Sequence, residues 1–201
     1  MDSNALWNLS YGLFVLTSKY DSKSNGCIIN TVMQITDNPK RLAVAVNKNN
    51  YTHSFIEKSG FMNISIIDES ANFDVFRHFG FQSGKNIEKI KDYPYISFSE
   101  NSLPYLNKYV NSYISCNVLM SIDFDTHTMF ICEISDCKII SERKSMTYEY
   151  YHKNVKPKNE KQDNEKAFRC KICGYIYKGD NLPDDFICPI CKHGASDFEK
   201  I

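Results

Sequence analysis

The stretch Asn25–Gly60, NGCIINTVMQITDNPKRLAVAVNKNNYTHSFIEKSG, sets the pattern for most of the chain. GCIINTVMQI and RLAVAVN are rich in β-branched residues and are separated by the turn formers Asp37, Asn38 and Pro39, so both read as strands. The second strand ends at Asn47, a polar turn follows, and a helix begins near Thr52 and stops at Gly60. Two polar groupings stand out. Asn30, Thr31 and Gln34 offer amide and hydroxyl groups at one end of a strand, or simply form its solvated face. Lys48, Asn50 and Thr52, with the free N–H groups of a helix start, can receive a phosphate. Ordinary helix capping by Asn50 or Thr52 explains the same residues.

Outward from this stretch the strand pattern continues in YGLFVLTS before it and in FMNISII, SYISCNVLMSIDF and TMFICEISDCKII after it. ESANFDVFRHFG gives a second short helix with a glycine stop. Six strands and two short helices argue for a closed or split antiparallel barrel. From His152 the composition changes: HKNVKPKNEKQDNEK carries one apolar residue, Val155, among lysine, asparagine and glutamate. We expect a barrel domain over residues 1–152, a linker over 153–166 and a small domain over 167–201. A flexible linker of that length spans about 20 Å on average.

The 24 basic and 24 acidic residues balance, which argues against a nucleic-acid or membrane-surface partner. The first residues lack the basic start and apolar core of a signal peptide, and no apolar run reaches membrane length. A cytoplasmic protein is expected. Cys27, Cys116, Cys132 and Cys137 are scattered and read as unpaired thiols.

The other four cysteines are not scattered. CKICGYIYKGDNLPDDFICPIC, Cys170–Cys191, contains two C-x-x-C pairs. Thiolates at i and i+3 in a tight turn bind one metal together, and two such turns complete a tetrahedron. Gly174 after the first pair permits the left-handed backbone that turns N–H groups toward the sulfurs. So short a segment cannot bury enough surface to fold alone, so bound metal supplies much of its stability. Zinc and iron both accept four thiolates.

The flanking residues resemble the rubredoxin family. The resemblance covers residues 167–201, with Tyr175, Tyr177, Phe186 and Phe198 as the aromatic core and Pro189 in the second knuckle. It implies one iron ion bound by Cys170, Cys173, Cys188 and Cys191. Two features depart from the family: the segment between the pairs is about half the usual length, and Lys192 stands where a glycine usually follows the last cysteine.

SYGLFVLTS, NGCIINTVMQIT, LAVAVNKNNYTHSFI, FGFQSGKN, THTMFICEI and MTYEYYH, in that order, resemble the flavin reductase family with an FMN-binding split barrel. The resemblance runs over residues 4–152 and is nearest to the flavin reductases fused to rubredoxins in anaerobic bacteria. It implies Asn30, Thr31, Val32 and Gln34 along the flavin ring, and Asn47, Lys48, Asn50 and Thr52 at the ribityl chain and phosphate, with His53 close by. Phe81, Ser83 and Gly84 fall in a loop bordering the flavin. His127 matches a histidine that approaches flavin or nicotinamide, although an exposed turn histidine reads the same way. The family's Ser/Thr-x-Thr phosphate pattern is Asn50-Tyr51-Thr52 here.

A one-electron iron centre needs a donor, and a flavin converts hydride into single electrons. The resemblance therefore implies a homodimeric enzyme that oxidises NAD(P)H through FMN and reduces its own iron site, with a flavodiiron protein as downstream acceptor. Two alternatives remain: a flavin or ferric reductase with an accessory metal domain, and a zinc-ribbon interaction module on a barrel without redox chemistry.

Overall fold

The structure is a computed structural model, and it describes residues 2–157 and 167–201. Its main element is a seven-stranded antiparallel sheet in the order β2-β1-β5-β8-β9-β4-β3. These strands are β1 (Phe14–Tyr20), β2 (Lys23–Ile29), β3 (Val32–Thr36), β4 (Arg41–Asn47), β5 (Phe61–Ile67), β8 (Val110–Phe124) and β9 (His127–Ile139). A small hairpin, β6 (Ile96–Phe98) and β7 (Pro104–Leu106), lies between β5 and β8 in the chain.

The position of β2 and β3 decides the architecture. They are consecutive in sequence, yet they form the two opposite edges of the sheet. Only Asn30 and Thr31 join them. Two residues reach from one edge to the other only if the sheet curls round on itself. The result is a barrel whose edges do not pair with each other, so it is split. The single strand expected over residues 26–35 is thus two strands broken at Asn30-Thr31. Continuous β-branched composition hid the break, because both halves satisfy the same strand pattern.

Alternation fills the interior. Phe14 and Leu16 of β1, Leu42, Val44 and Val46 of β4, Met62 and Ile64 of β5, and Phe130 and Cys132 of β9 meet in one core. Each fully buried aliphatic side chain there contributes about 1.5–3 kcal/mol. Cys27 and Cys116 share this core, and burial raises both thiols above their ordinary range. Val15 of β1, and Leu13 just before that strand, point away from this core into a second one under α2 (Phe73–Gly80). The latter helix starts at Phe73 rather than Glu69, because Asn72 caps it by accepting from the Asp74 N–H at 3.1 Å.

Between β4 and β5, α1 (Tyr51–Ser59) buries Thr52, His53, Phe55 and Ile56, and Gly60 ends it in the left-handed conformation at φ 75°. After the sheet, α3 (Tyr148–Tyr150) runs into a π-helical turn, Tyr151–Val155. This turn takes up the first residues of the expected linker, whose residues 158–166 lie outside those described. The small domain is a three-stranded sheet of β10 (Ala167–Cys170), β11 (Ile176–Lys178) and β12 (Phe198–Lys200), in the order β11-β10-β12. No helix among the described residues is long and apolar enough to cross a membrane.

Candidate functional site

Two knuckles bring the four tail cysteines together. In the first, the Gly174 N–H donates to the Cys170 carbonyl at 2.9 Å, with Gly174 at φ 80°. In the second, the Lys192 N–H donates to the Cys188 carbonyl at 2.9 Å, with Lys192 at φ 63°. The knuckle shape therefore survives the missing glycine, and a lysine bears the left-handed conformation. All four Sγ atoms lie within 4.8 Å of one another, and all four residues are buried. Cys170 and Cys191 Sγ are 3.6 Å apart, and Cys173 and Cys188 Sγ 3.4 Å. Metal–sulfur bonds of about 2.3 Å in a tetrahedron need sulfur separations of about 3.8 Å, so the set fits one ion. Burial acts to raise Cys188, but N–H groups of Cys191 and Ile190, together with the Cys173 and Cys191 thiols, hold it below its usual range. Such donors stabilise thiolate, the form that binds metal. Phe186 packs edge-on to Phe198 at 5.3 Å and to Tyr177 at 4.7 Å.

In the barrel, Asn30, Thr31 and Val32 line a cleft of about 330 Å³ with Tyr11, Gly12, Ala43, Ala45 and Met129. A larger groove of about 650 Å³ runs past Tyr51 and Phe55 of α1 to Gly84, Lys85 and Asn86. The Lys85 ammonium stands 5.9 Å from the Tyr51 ring centre.

The remaining expected residues divide between these places and the scaffold. Gln34 is exposed on the edge strand and bonds the Thr36 carbonyl at 3.2 Å, outside the cleft. The Asn47 amide oxygen accepts from the Asn49 N–H at 2.8 Å and shapes the turn before α1. Asn50 occupies the N-cap position of α1, but its side chain makes no capping bond. Lys48 is paired with Asp123 at 2.6 Å, which holds that carboxyl below its usual range. Thr52 is fully buried and accepts from the Asn25 amide at 3.1 Å. His53 is buried against Thr128, with Nε2 and Oγ1 2.7 Å apart. His127 pairs across the sheet with Asn47, and its Nδ1 lies 2.9 Å from the Thr126 hydroxyl. Ser83 is exposed, and Gly84 rests so closely on Asn25 that a Cβ would lie 2.1 Å from its amide oxygen. Phe81 packs against the cysteine cluster of the small domain.

Tyr11, Gly12, Ala45, Met129, Tyr51 and Lys85 were not anticipated as lining residues. Tyr51 sits between two expected positions and carried a signal. Tyr11 and Met129 carried none, because only the closure of the barrel brings β1's start and β9 to β3.

Residues 6–158 match the flavin reductase like domain. The chain belongs to the flavin reductase-like family. Residues 168–199 match the rubredoxin-like domain of rubrerythrins. Over 230 aligned positions, covering 100% of both chains, this protein is 34% identical to the high molecular weight rubredoxin of Moorella thermoacetica. It is 31% identical to the ferric-chelate reductase (NAD(P)H) of Archaeoglobus fulgidus over 152 positions, 76% of this chain and 89% of that one. Among solved structures, the NADH:FAD oxidoreductase of Streptomyces globisporus shares the fold with a TM-score of 0.64 and 17% identity, over 71% of this chain and 84% of that one. This family member is thus an NAD(P)H-dependent oxidoreductase of the flavin reductase type, carrying a rubredoxin-like domain through which electrons pass by way of iron.

Proposed function

We propose that this enzyme oxidises NAD(P)H with FMN held non-covalently in its barrel and reduces one iron ion held by Cys170, Cys173, Cys188 and Cys191. The observation that carries this reading is the union, in one chain, of a flavin reductase-like barrel with a buried four-thiolate site. Bound flavin supplies the change from hydride to single electrons, and four-thiolate iron supplies a one-electron carrier with no open position for substrate.

The chain's own residues then have distinct tasks. Asn30 offers an amide at the ring and the Thr31 hydroxyl, whose proton goes to the Ala45 carbonyl, offers a lone pair, with Val32 as an apolar wall beside Tyr11. Lys48, Asn50 and the first N–H groups of α1 attract a phosphate, with Asn47, Ser83 and Gly84 at the borders. Thr52 and His53 act from inside, holding the start of α1 through Asn25 and Thr128. His127 stands where a nicotinamide can approach, at the strand end beside Asn47. One phosphate region and the lack of a G-x-G-x-x-G fingerprint favour FMN over FAD.

A flavodiiron protein is the acceptor we assign downstream. The enzyme acts as a homodimer in the cytoplasm. Support for the dimer comes from Met33, Met120 and Phe124, apolar side chains that are more than half exposed on β3 and the far end of β8. Sedimentation at the mass of one chain with full flavin content contradicts it.

An optical spectrum with metal analysis tests the reading. One iron and one FMN per chain are expected. Stoichiometric zinc in protein from its native host contradicts it. A second reading, ferric or flavin reduction with an accessory tail, draws on the Archaeoglobus relative. Under it, Cys170→Ser leaves acceptor reduction unchanged. Under ours, the same change abolishes electron delivery to the partner protein.

A further inference from the structure

The segment after α2 has two working sides. On its outer side, Phe81 packs against the cysteine cluster, and its ring is steadied by Phe73 at 5.6 Å. Next to it, Gln82, Ser83, Asn86 and Ile87 face Cys191, Lys192 and His193 across a cavity of about 230 Å³. On its inner side, Gly84 lies on Asn25, whose amide bonds Thr52 at the start of α1. Asn86 and Ile87 belong to both sides, because they also line the groove beside Tyr51. One layer of chain therefore separates that groove from a cysteine knuckle.

The layer is anchored. The buried Lys89 ammonium donates to the Gly26 carbonyl at 3.0 Å and to the Phe79 carbonyl at 2.8 Å. The Lys89 carbonyl in turn meets His78 Nε2 at 2.8 Å. These bonds tie the loop's far end to β2 and α2, so its outer surface is a fixed seat rather than a free loop. In the small domain, Ile172 and Ile187 are sequence neighbours of the cysteines, lie outside the lining of this cavity and stay exposed.

We propose that the Phe81–Ile87 loop is the docking seat for the Cys188–His193 knuckle and the port through which electrons leave the barrel for the metal site. The occupant is the chain's own small domain. The face bearing Ile172 and Ile187 is left open to outside acceptors. The proposal rests on the function proposed above. In each passage the reduced flavin loses one electron and iron(III) becomes iron(II). Two such passages discharge one hydride; the four iron–sulfur bonds persist throughout, and the single proton that the two passages release on the flavin side goes to solvent. Docking at a fixed seat holds the knuckle against the loop whose Ser83 and Gly84 border the proposed phosphate region, and tethering keeps the local concentration of the knuckle high.

The test wedges the seat open from either side in the full, metal- and flavin-loaded chain. Gln82→Trp fills the cavity from the barrel, and His193→Trp fills it from the knuckle. Amide hydrogen exchange reads docking without any redox step. The amides of residues 81–88 and 188–193 should exchange about tenfold faster in both variants than in wild type. After mixing with NAD(P)H, flavin bleaching should keep its wild-type rate, while iron bleaching slows by about tenfold or more. Wild-type exchange rates in both variants, or wild-type iron bleaching in either, overturn the proposal. A wild-type protein whose flavin is not reduced by NAD(P)H overturns the functional reading instead, and the exchange data still decide the seat.

Discussion

Thr31 and Ala45 hold each other by two hydrogen bonds. The Ala45 N–H donates to the Thr31 carbonyl at 3.2 Å, and the Thr31 hydroxyl donates to the Ala45 carbonyl at 2.8 Å. The pair lies where the chain passes from one sheet edge to the other, and both residues line the smaller cleft. Thr31→Val keeps the shape and removes the hydroxyl. It should cost about 1 kcal/mol in urea unfolding and should also weaken FMN binding. Lost stability with unchanged affinity would assign Thr31 to the scaffold alone.

Lys48 and Asp123 give a second test, because a lysine cannot serve a phosphate and a carboxylate equally. Their 2.6 Å contact is at the surface, so breaking it costs little. Lys48→Ala should weaken FMN binding, and Asp123→Asn should strengthen it by freeing the ammonium. Titration of the flavin-stripped protein measures both. If neither change matters while Lys85→Ala does, the phosphate lies beside Tyr51 instead.

The second knuckle keeps its form with Lys192 in the left-handed region. That conformation costs a side-chain-bearing residue about 1–2 kcal/mol, which glycine avoids. Lys192→Gly should slow chelator-driven metal loss and raise the melting temperature of the small domain. A lower melting temperature would show that the lysine makes a compensating contact.

Lys89 predicts a pH dependence. Burial lowers its pKa to about 8, well below that of an unfolded lysine near 10.4. The unfolded chain then binds the extra proton between about pH 8 and pH 10.4, so this residue's contribution to stability rises with pH there and is lost as pH falls through 8. Buried thiols such as Cys132, raised to about 12, act in the opposite direction. The comparison must therefore be differential. Wild type should gain stability relative to Lys89→Met across that window, measured by denaturant unfolding. A flat difference contradicts a buried, easily deprotonated Lys89.

Much of this was legible in the chain. The β-branched runs gave the strands, Gly60 the end of α1, and the C-x-x-C spacing the metal site. Short elements were not legible: β6 and β7 have three residues each, too few for an alternation to register. The cleft was half legible. Asn30 and Thr31 announce themselves as polar residues inside an apolar run, whereas Met129 and Ala45 look like any core residues until the barrel closes. The seat around Phe81 was hidden for the same reason, since residues 82–87 meet residues 191–193 across more than 100 residues of sequence.

The central claim is the direction of electron flow, and anaerobic stopped-flow spectroscopy with NAD(P)H tests it most directly. The nicotinamide has no route to a closed four-thiolate site, so flavin bleaching should precede iron bleaching in the loaded protein. Protein stripped of flavin but retaining iron should show no iron bleaching on the same timescale. Iron bleaching at the wild-type rate in that flavin-free protein would contradict the account.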